Sequence, residues 1–169
     1  MTLEDLFQIA PYSLVKNDKD RVLKEILNDL TRHHYELCRE YARVLDALKY
    51  DITHKHNLSD LPFLPVRLFK QFELRSVPKE EITKTLTSSG TSGQAVSKIF
   101  LNASNVRAQT KTLNEIISSF IGKKRLPLLL LDTEMIKKDR SMYSARGAGI
   151  IGFSIFGRNS TYALDSEMN

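Results

Sequence analysis

Five hydroxyl side chains and two glycines lie within seven consecutive residues, Thr87-Ser88-Ser89-Gly90-Thr91-Ser92-Gly93. Glycine adopts backbone angles closed to other residues, which lets successive N–H groups converge on one anion. Each hydroxyl can also donate a hydrogen bond to a phosphate oxygen. Lys98 follows closely and can add a positive charge, while residues 82–114 contain no Asp or Glu to repel a polyphosphate. The segment therefore predicts a phosphate-binding loop.

Two better-known phosphate motifs do not fit this segment. It lacks the G-x-x-x-x-G-K-[ST] pattern of P-loop enzymes and the G-x-G-x-x-G pattern of dinucleotide-binding turns. By composition alone, a loop rich in Ser, Thr and Gly is also typical of a plain connection between strands.

The residues around the loop predict the elements that must hold it. Alternating or β-branched residues predict strands over 72–77, 82–86 and 97–101. A helix over 104–121 follows, with Asn102 or Ser104 as its N-cap and Gly122 after its last turn. The apolar run 128–131 predicts a strand buried on both faces.

The rest of the chain predicts an α/β fold, with an N-terminal helical section over 1–60 and an α/β section over 61–169 in which helices flank a β-sheet. We expect helices over 1–10, over 66–70 and over 141–152, and one long or two consecutive helices over 17–48 with a break near Thr31. Residues 150–156 are expected to form a further strand or a tight turn. Asp132 ends the apolar strand, where it can serve a ligand site or cap the next helix.

Composition narrows the class of protein. The net charge of +5 comes without the dense basic and aromatic face of nucleic-acid binders, so we expect no nucleic-acid partner. The longest apolar run is far shorter than a membrane span, which needs about 20 residues. A single cysteine, Cys38, forms no intrachain disulfide and fits a small core residue in a cytoplasmic protein. The two histidine pairs lack companion ligands, and no metal site is expected.

The loop and its flanks resemble the phosphate-binding signature of adenylate-forming enzymes, written [ST]-[ST]-G-[ST]-[ST]-G. The ordered segments are similar to those of the acyl-protein synthetase family, LuxE-like, which includes the synthetase of the bacterial bioluminescence fatty-acid reductase complex. These segments include Leu64-Pro65-Val66-Arg67-Leu68-Phe69-Lys70, Gln109, Arg125-Leu126-Pro127, Ser144-Ala145-Arg146-Gly147-Ala148-Gly149 and Tyr162-Ala163-Leu164-Asp165.

The resemblance implies a fold like part of the large N-terminal domain of adenylate-forming enzymes, and a two-step reaction. A carboxylic acid, such as a fatty acid, attacks the α-phosphate of Mg-ATP to give an acyl-adenylate and pyrophosphate. The acyl group then passes to a protein thiol or another acceptor, so a reductase-like protein partner is expected. The cofactors would be ATP and Mg²⁺, held by the loop from Thr87 to Gly93 with help from Lys98. The resemblance identifies no catalytic residue.

Arg146 lies in a segment of small residues that allow a close backbone approach, so its guanidinium could pair with a phosphate. A surface arginine on a helix packed through those small residues is the alternative. Members of the family are longer, so we expect this chain to be the N-terminal portion of a synthetase. The family's acyl-accepting cysteine lies near its C-terminal end, which excludes Cys38 from that role. A non-catalytic nucleotide-binding subunit that needs a partner chain is the alternative function.

Overall fold

The computed structural model describes residues 3–88, 95–137 and 145–167, in which helices flank small β-sheets. The α/β fold class predicted from the sequence is therefore confirmed. The helices are α1 (Leu3–Leu6), α2 (Lys16–Leu37), α3 (Arg39–Ala47), α4 (Leu68–Gln71), α5 (Ala103–Ile121) and α6 (Ala145–Ser154). The strands are β1 (Ile82–Thr87), β2 (Lys98–Asn102), β3 (Leu126–Thr133) and β4 (Gly157–Leu164). The boundary proposed at residue 60 stays a prediction.

The long N-terminal helix is interrupted at Cys38, and the break predicted near Thr31 is wrong. The Thr31 hydroxyl donates to the carbonyl oxygen of Leu27 at 2.8 Å, a bond that α2 accommodates without ending. Cys38 instead adopts an extended conformation between α2 and α3 and is only 3% exposed, as expected of a core residue. The change of direction brings Leu45 of α3 to 0% exposure. Helix α1 is shorter than predicted.

A buried amide fixes the polar segment after α3 against α2. The Asn28 side chain donates to the carbonyl oxygens of Lys24 at 2.7 Å and His56 at 3.0 Å. Its Oδ1 accepts the backbone N–H of His56 at 2.8 Å. One side chain thus satisfies both backbone groups of His56, which explains why a polar residue lies buried on this helix.

Strands β1 and β2 form an antiparallel pair, and α5 packs against both of them. The strands predicted over 82–86 and 97–101 are confirmed to within one residue. The helix that follows is also confirmed, with Asn102 Oδ1 accepting the Asn105 N–H at 2.9 Å and Gly122 at φ +77° after the last turn. The strand predicted over 72–77 is wrong, because that segment follows α4 as irregular backbone with Phe72 48% exposed.

Strands β3 and β4 form a separate parallel pair, connected through a segment that includes α6. A strand over 150–156 is wrong, because helix α6 continues to Ser154, whose hydroxyl donates to the Ile150 carbonyl at 2.7 Å. The alternative of a tight turn holds only for residues 155–156, where the Phe156 N–H donates to the Phe153 carbonyl at 3.1 Å. Strand β3 is present as predicted but is not buried on both faces. Leu130 is 8% exposed on the inner face, whereas Leu129 and Leu131 on the outer face are 63% and 80% exposed.

Among residues 3–88, 95–137 and 145–167, no helix combines the length and the apolar character needed to cross a bilayer.

Gly157 begins β4 where its backbone lies directly against Leu128 of β3. A Cβ at this position would lie 2.6 Å from Leu128 Cδ2 and 2.7 Å from its Cβ. We expect Gly157→Ala to lower the free energy of unfolding by about 1–3 kcal/mol through overpacking. Urea unfolding followed by circular dichroism measures this change.

Gly149 provides the matched control, because a Cβ there would have no neighbour within 4 Å among the residues that the structure describes. Gly149 lies inside α6, so Gly149→Ala should raise the free energy of unfolding by about 0.5–1 kcal/mol. Equal effects of the two alanines would contradict the close approach of β3 and β4.

Candidate functional site

The antiparallel pair of β1 and β2 places the two ends of the predicted phosphate loop side by side. Thr87, the last residue of β1, lies opposite Lys98, the first residue of β2. One step beyond, the Ser88 N–H donates to the Ser97 carbonyl at 3.1 Å, and the Ser97 N–H donates to Ser88 Oγ at 3.0 Å. These two bonds extend the pairing past the strands. The loop therefore begins from a rigid base.

The sequence-predicted residues at this base have distinct surroundings. Ser88 is exposed, and its oxygen accepts from Ser97 while its hydroxyl hydrogen remains available for donation. Lys98 is also exposed, and within the described part of the chain it forms no ion pair. A hydroxyl and an ammonium group thus flank the loop on neighbouring strands. Ser89, Gly90, Thr91, Ser92 and Gly93 lie outside the described residues, and their contribution stays a prediction.

Arg146 lies on a helix that packs against the other sheet, the β3–β4 pair. It lies in the first turn of α6, which packs against β4 and the turn 134–137, whereas the loop extends from β1 and β2. Its side chain lies outside those that the structure describes. The proposed pairing of Arg146 with a phosphate therefore stays a prediction.

A large cleft lies behind the β1–β2 pair, between α1, α2 and α5, with a volume of about 890 Å³. We call it the apolar cleft. Helix α5 contributes the longest wall: Asn105, Ala108, Gln109, Thr112, Leu113 and Ile116. Helix α2 contributes the facing wall: Ile26, Asp29, Leu30 and His33. Leu6 and Leu101 complete the lining.

The sequence contains a pattern that corresponds to one wall of this cleft. The helical spacing of Leu113 and Ile116 on α5 predicts an apolar face, and such a face ordinarily packs into a core. The structure instead leaves open space between that face and α2, where Leu30 remains 42% exposed. Gln109, which the family resemblance had included without a role, lies on the wall of the same cleft.

A smaller cavity of about 430 Å³ adjoins the apolar cleft and shares Leu30, His33 and Asn105 with it. We call it the histidine cavity, because His34 lines it beside Arg75 and Ser76. His34 Nδ1 and Ser76 Oγ are hydrogen-bonded at 2.7 Å. Partial desolvation of the ring, and then the neighbouring His33, lower the pKa of His34, while the residue as a whole stays exposed. The neutral imidazole is therefore the favoured form.

Cys38 also lines the histidine cavity, but its thiol is buried, and its Sγ lies 4.0 Å from a Glu40 carboxylate oxygen. A nucleophilic cysteine ordinarily has an exposed, electropositive setting. The geometry thus agrees with a packing role for Cys38.

The carboxyl ends of β3 and β4 form a polar pocket of about 480 Å³. Thr133 and Glu134 line it from the end of β3, and Tyr162 and Asp165 line it from β4 and the residue after it. Parallel strands place ligand sites at this edge, as the sequence suggested for Asp132. Asp132 itself is 4% exposed, and its Oδ1 accepts the Thr133 N–H at 2.7 Å. Its carboxylate therefore holds the strand end, while the next residues line the pocket.

The histidines of the segment after α3 are engaged with one aspartate. His54 Nδ1 lies 3.1 Å from the Asp51 carboxylate, and His56 Nε2 donates to the Asp51 carbonyl oxygen at 2.5 Å. Among the residues that the structure describes, no group of three or more His, Cys, Asp or Glu side chains is arranged to hold a metal ion.

Comparison with known proteins identifies the family of this chain. A sequence model of the family described as acyl-protein synthetase, LuxE, matches residues 2–169, so this chain belongs to the acyl-protein synthetase family. It is similar to the long-chain-fatty-acid–luciferin-component ligase of Photorhabdus luminescens, with 33% identity over 92 residues. The matched region covers 54% of this chain and 78% of that protein.

His34 gives a pH prediction for the histidine cavity. We expect its ring protons to titrate below the ordinary pKa of 6.5 in an NMR titration assigned with a His34→Gln variant. The folded protein disfavours the imidazolium, so the contribution of His34 to stability is full above about pH 6.5 and declines as the pH falls toward its lower folded pKa. The difference in unfolding free energy between wild type and His34→Gln should follow this dependence. Titration at or above 6.5 would contradict the assigned burial.

Proposed function

We propose that this chain carries out ATP-dependent activation of a carboxylic acid. The acid attacks the α-phosphate of ATP, pyrophosphate leaves, and an acyl-adenylate forms. A thiol of a partner protein, or another acceptor, then attacks the acyl carbon and loses its proton, the acyl–phosphate bond breaks, and AMP leaves. The observation that carries the proposal is the loop base, where Ser88 and Lys98 flank a Ser/Thr/Gly loop in a member of the acyl-protein synthetase family.

The chemistry of the reaction explains why such a loop is useful. A carboxylate and a triphosphate repel each other, so the enzyme must neutralise and orient the phosphates before the attack. Backbone N–H groups, hydroxyls and the Lys98 ammonium provide donors without adding negative charge. Mg²⁺ would be carried mainly by the phosphates, as it usually is when few carboxylates are present.

A long-chain fatty acid is the substrate we propose. The name of the Photorhabdus relative specifies a long-chain fatty acid as the group that it ligates. The apolar cleft supports the same class of substrate, because its lining of leucine and isoleucine side chains favours an alkyl chain over a polar acid.

Exchange of labelled pyrophosphate into ATP tests the activation step. With Mg²⁺ and saturated fatty acids of 8 to 16 carbons, we expect exchange that depends on the acid. ATP binding without exchange for any acid would overturn the proposal and favour a non-catalytic nucleotide-binding subunit. Gly90→Val together with Gly93→Val should abolish ATP binding under either function. Unchanged binding would exclude the loop from the nucleotide site.

Lys98 provides a sharper test of the loop base. Replacement by glutamine removes a charge-assisted hydrogen bond, which is worth about 1.5 kcal/mol, so Lys98→Gln should weaken ATP binding about tenfold. Lys79→Gln is the matched control, because Lys79 is an exposed lysine in the 3₁₀ turn before β1. Isothermal titration with Mg-ATP measures both. Equal weakening in the two variants would mean that Lys98 acts only through net charge.

A further inference from the structure

The apolar cleft has the shape of a channel that follows one helix. Its α5 wall runs from Asn105 to Ile116 through residues three and four apart, which places them on one helical stripe. Those eleven steps span roughly 16 Å at the helical rise of 1.5 Å per residue. An extended chain advances roughly 1.2 Å per bond. The stripe therefore matches an alkyl chain of about a dozen methylenes.

The interior of the cleft is apolar and its rim is polar. Leu101, at 6% exposure, belongs to its buried side, and Leu113 packs close to Gly152 of α6 behind it. Asp29 and Gln109 are exposed residues along the rim. A volume of about 890 Å³ lies within the range of small-molecule sites, roughly 300–1,000 Å³. An occupant with a long apolar body would fill such a space.

The two ends of the cleft differ in chemistry. The end of the α5 wall farthest from Asn105 is Ile116, which is apolar. The other end meets the histidine cavity at His33 and Asn105. The histidine cavity also contacts Ile99, the residue after Lys98 at the base of the phosphate loop. The polar end of an occupant would therefore lie toward the loop.

We propose that the apolar cleft is the binding site for the alkyl chain of the fatty acid, with the carboxyl group at the His33–Asn105 end. This inference rests on the proposed acid activation. The histidine cavity adjoins that end of the cleft and also contacts Ile99 of β2. The wall between Asn105 and Ile116 sets the preferred chain length.

Filling the cleft tests the proposal directly. Ala108→Trp places an indole near the Asn105 end of the α5 wall, and Thr112→Trp places one about one turn further toward Ile116. We measure binding of octanoate, decanoate, dodecanoate, tetradecanoate and hexadecanoate, without ATP, by displacement of a fluorescent fatty acid. Wild-type affinity should rise about fourfold per methylene and level off near 14 carbons. Thr112→Trp should weaken tetradecanoate binding at least tenfold and octanoate binding less than threefold, because an eight-carbon chain of roughly 8 Å ends before it. Ala108→Trp lies closer to the carboxyl end and should weaken the binding of both acids at least tenfold.

The matched control is Asn114→Trp. Asn114 is exposed and lies about 240° around the helix from Ala108, away from the cleft. The Asn114→Trp variant should bind tetradecanoate with wild-type affinity. Urea unfolding of each variant identifies any that does not fold, and Thr112→Trp keeps the test decisive if Ala108→Trp fails. Equal weakening by the control and the cleft variants, or wild-type affinity that ignores chain length, would overturn the proposal.

The outcomes separate this inference from acid activation itself. One outcome is binding that depends on chain length and is abolished by the cleft tryptophans, without pyrophosphate exchange for any acid. It would support the cleft as the alkyl-chain site and contradict the proposed acid activation. The opposite outcome is pyrophosphate exchange with long-chain acids at a rate that Ala108→Trp and Thr112→Trp leave unchanged. It would support the proposed acid activation and contradict the cleft as the alkyl-chain site.

Discussion

The hydrogen-bonded pairing of β1 with β2 is the constraint on which the site depends. It sets Thr87 opposite Lys98, and the Ser88–Ser97 bonds extend it to the base of the loop. At the other end, Asn102 both closes the pairing opposite Ile82 and caps α5. The same ladder thus positions the loop at one end and begins the helix that lines the cleft at the other.

Helix α5 is the second organising element, because different parts of its surface have different partners. It packs against β1 and β2, and Leu113 also approaches α6. The remaining stripe faces α2 across open space. A helix that buried its whole apolar face would be a core helix and nothing more. The gap opposite Ile26 and Leu30 is what makes this face available to a ligand.

Local sequence signals predicted the elements with strong local causes. The Asn102 cap, the Gly122 terminus and the β-branched residues of β1 each act within a few residues, so a pattern reveals them. Predictions based on apolar character alone were less accurate. Residues 72–77 were predicted as a strand, but they pair with no strand in the described ranges 3–88, 95–137 and 145–167. Residues 150–154 fit either a strand or a helix, and the hydrogen bonding of α6 decides between them.

The sequence by itself determined the α/β class and the family, because these depend on residue types at short spacing. Only the tertiary structure decided that Cys38 breaks the long helix and that Leu129 and Leu131 are exposed. It also decided that the apolar stripe of α5 faces a cleft. A periodic pattern shows which side of a helix avoids water, but the packing of distant segments decides whether protein or a ligand covers that side.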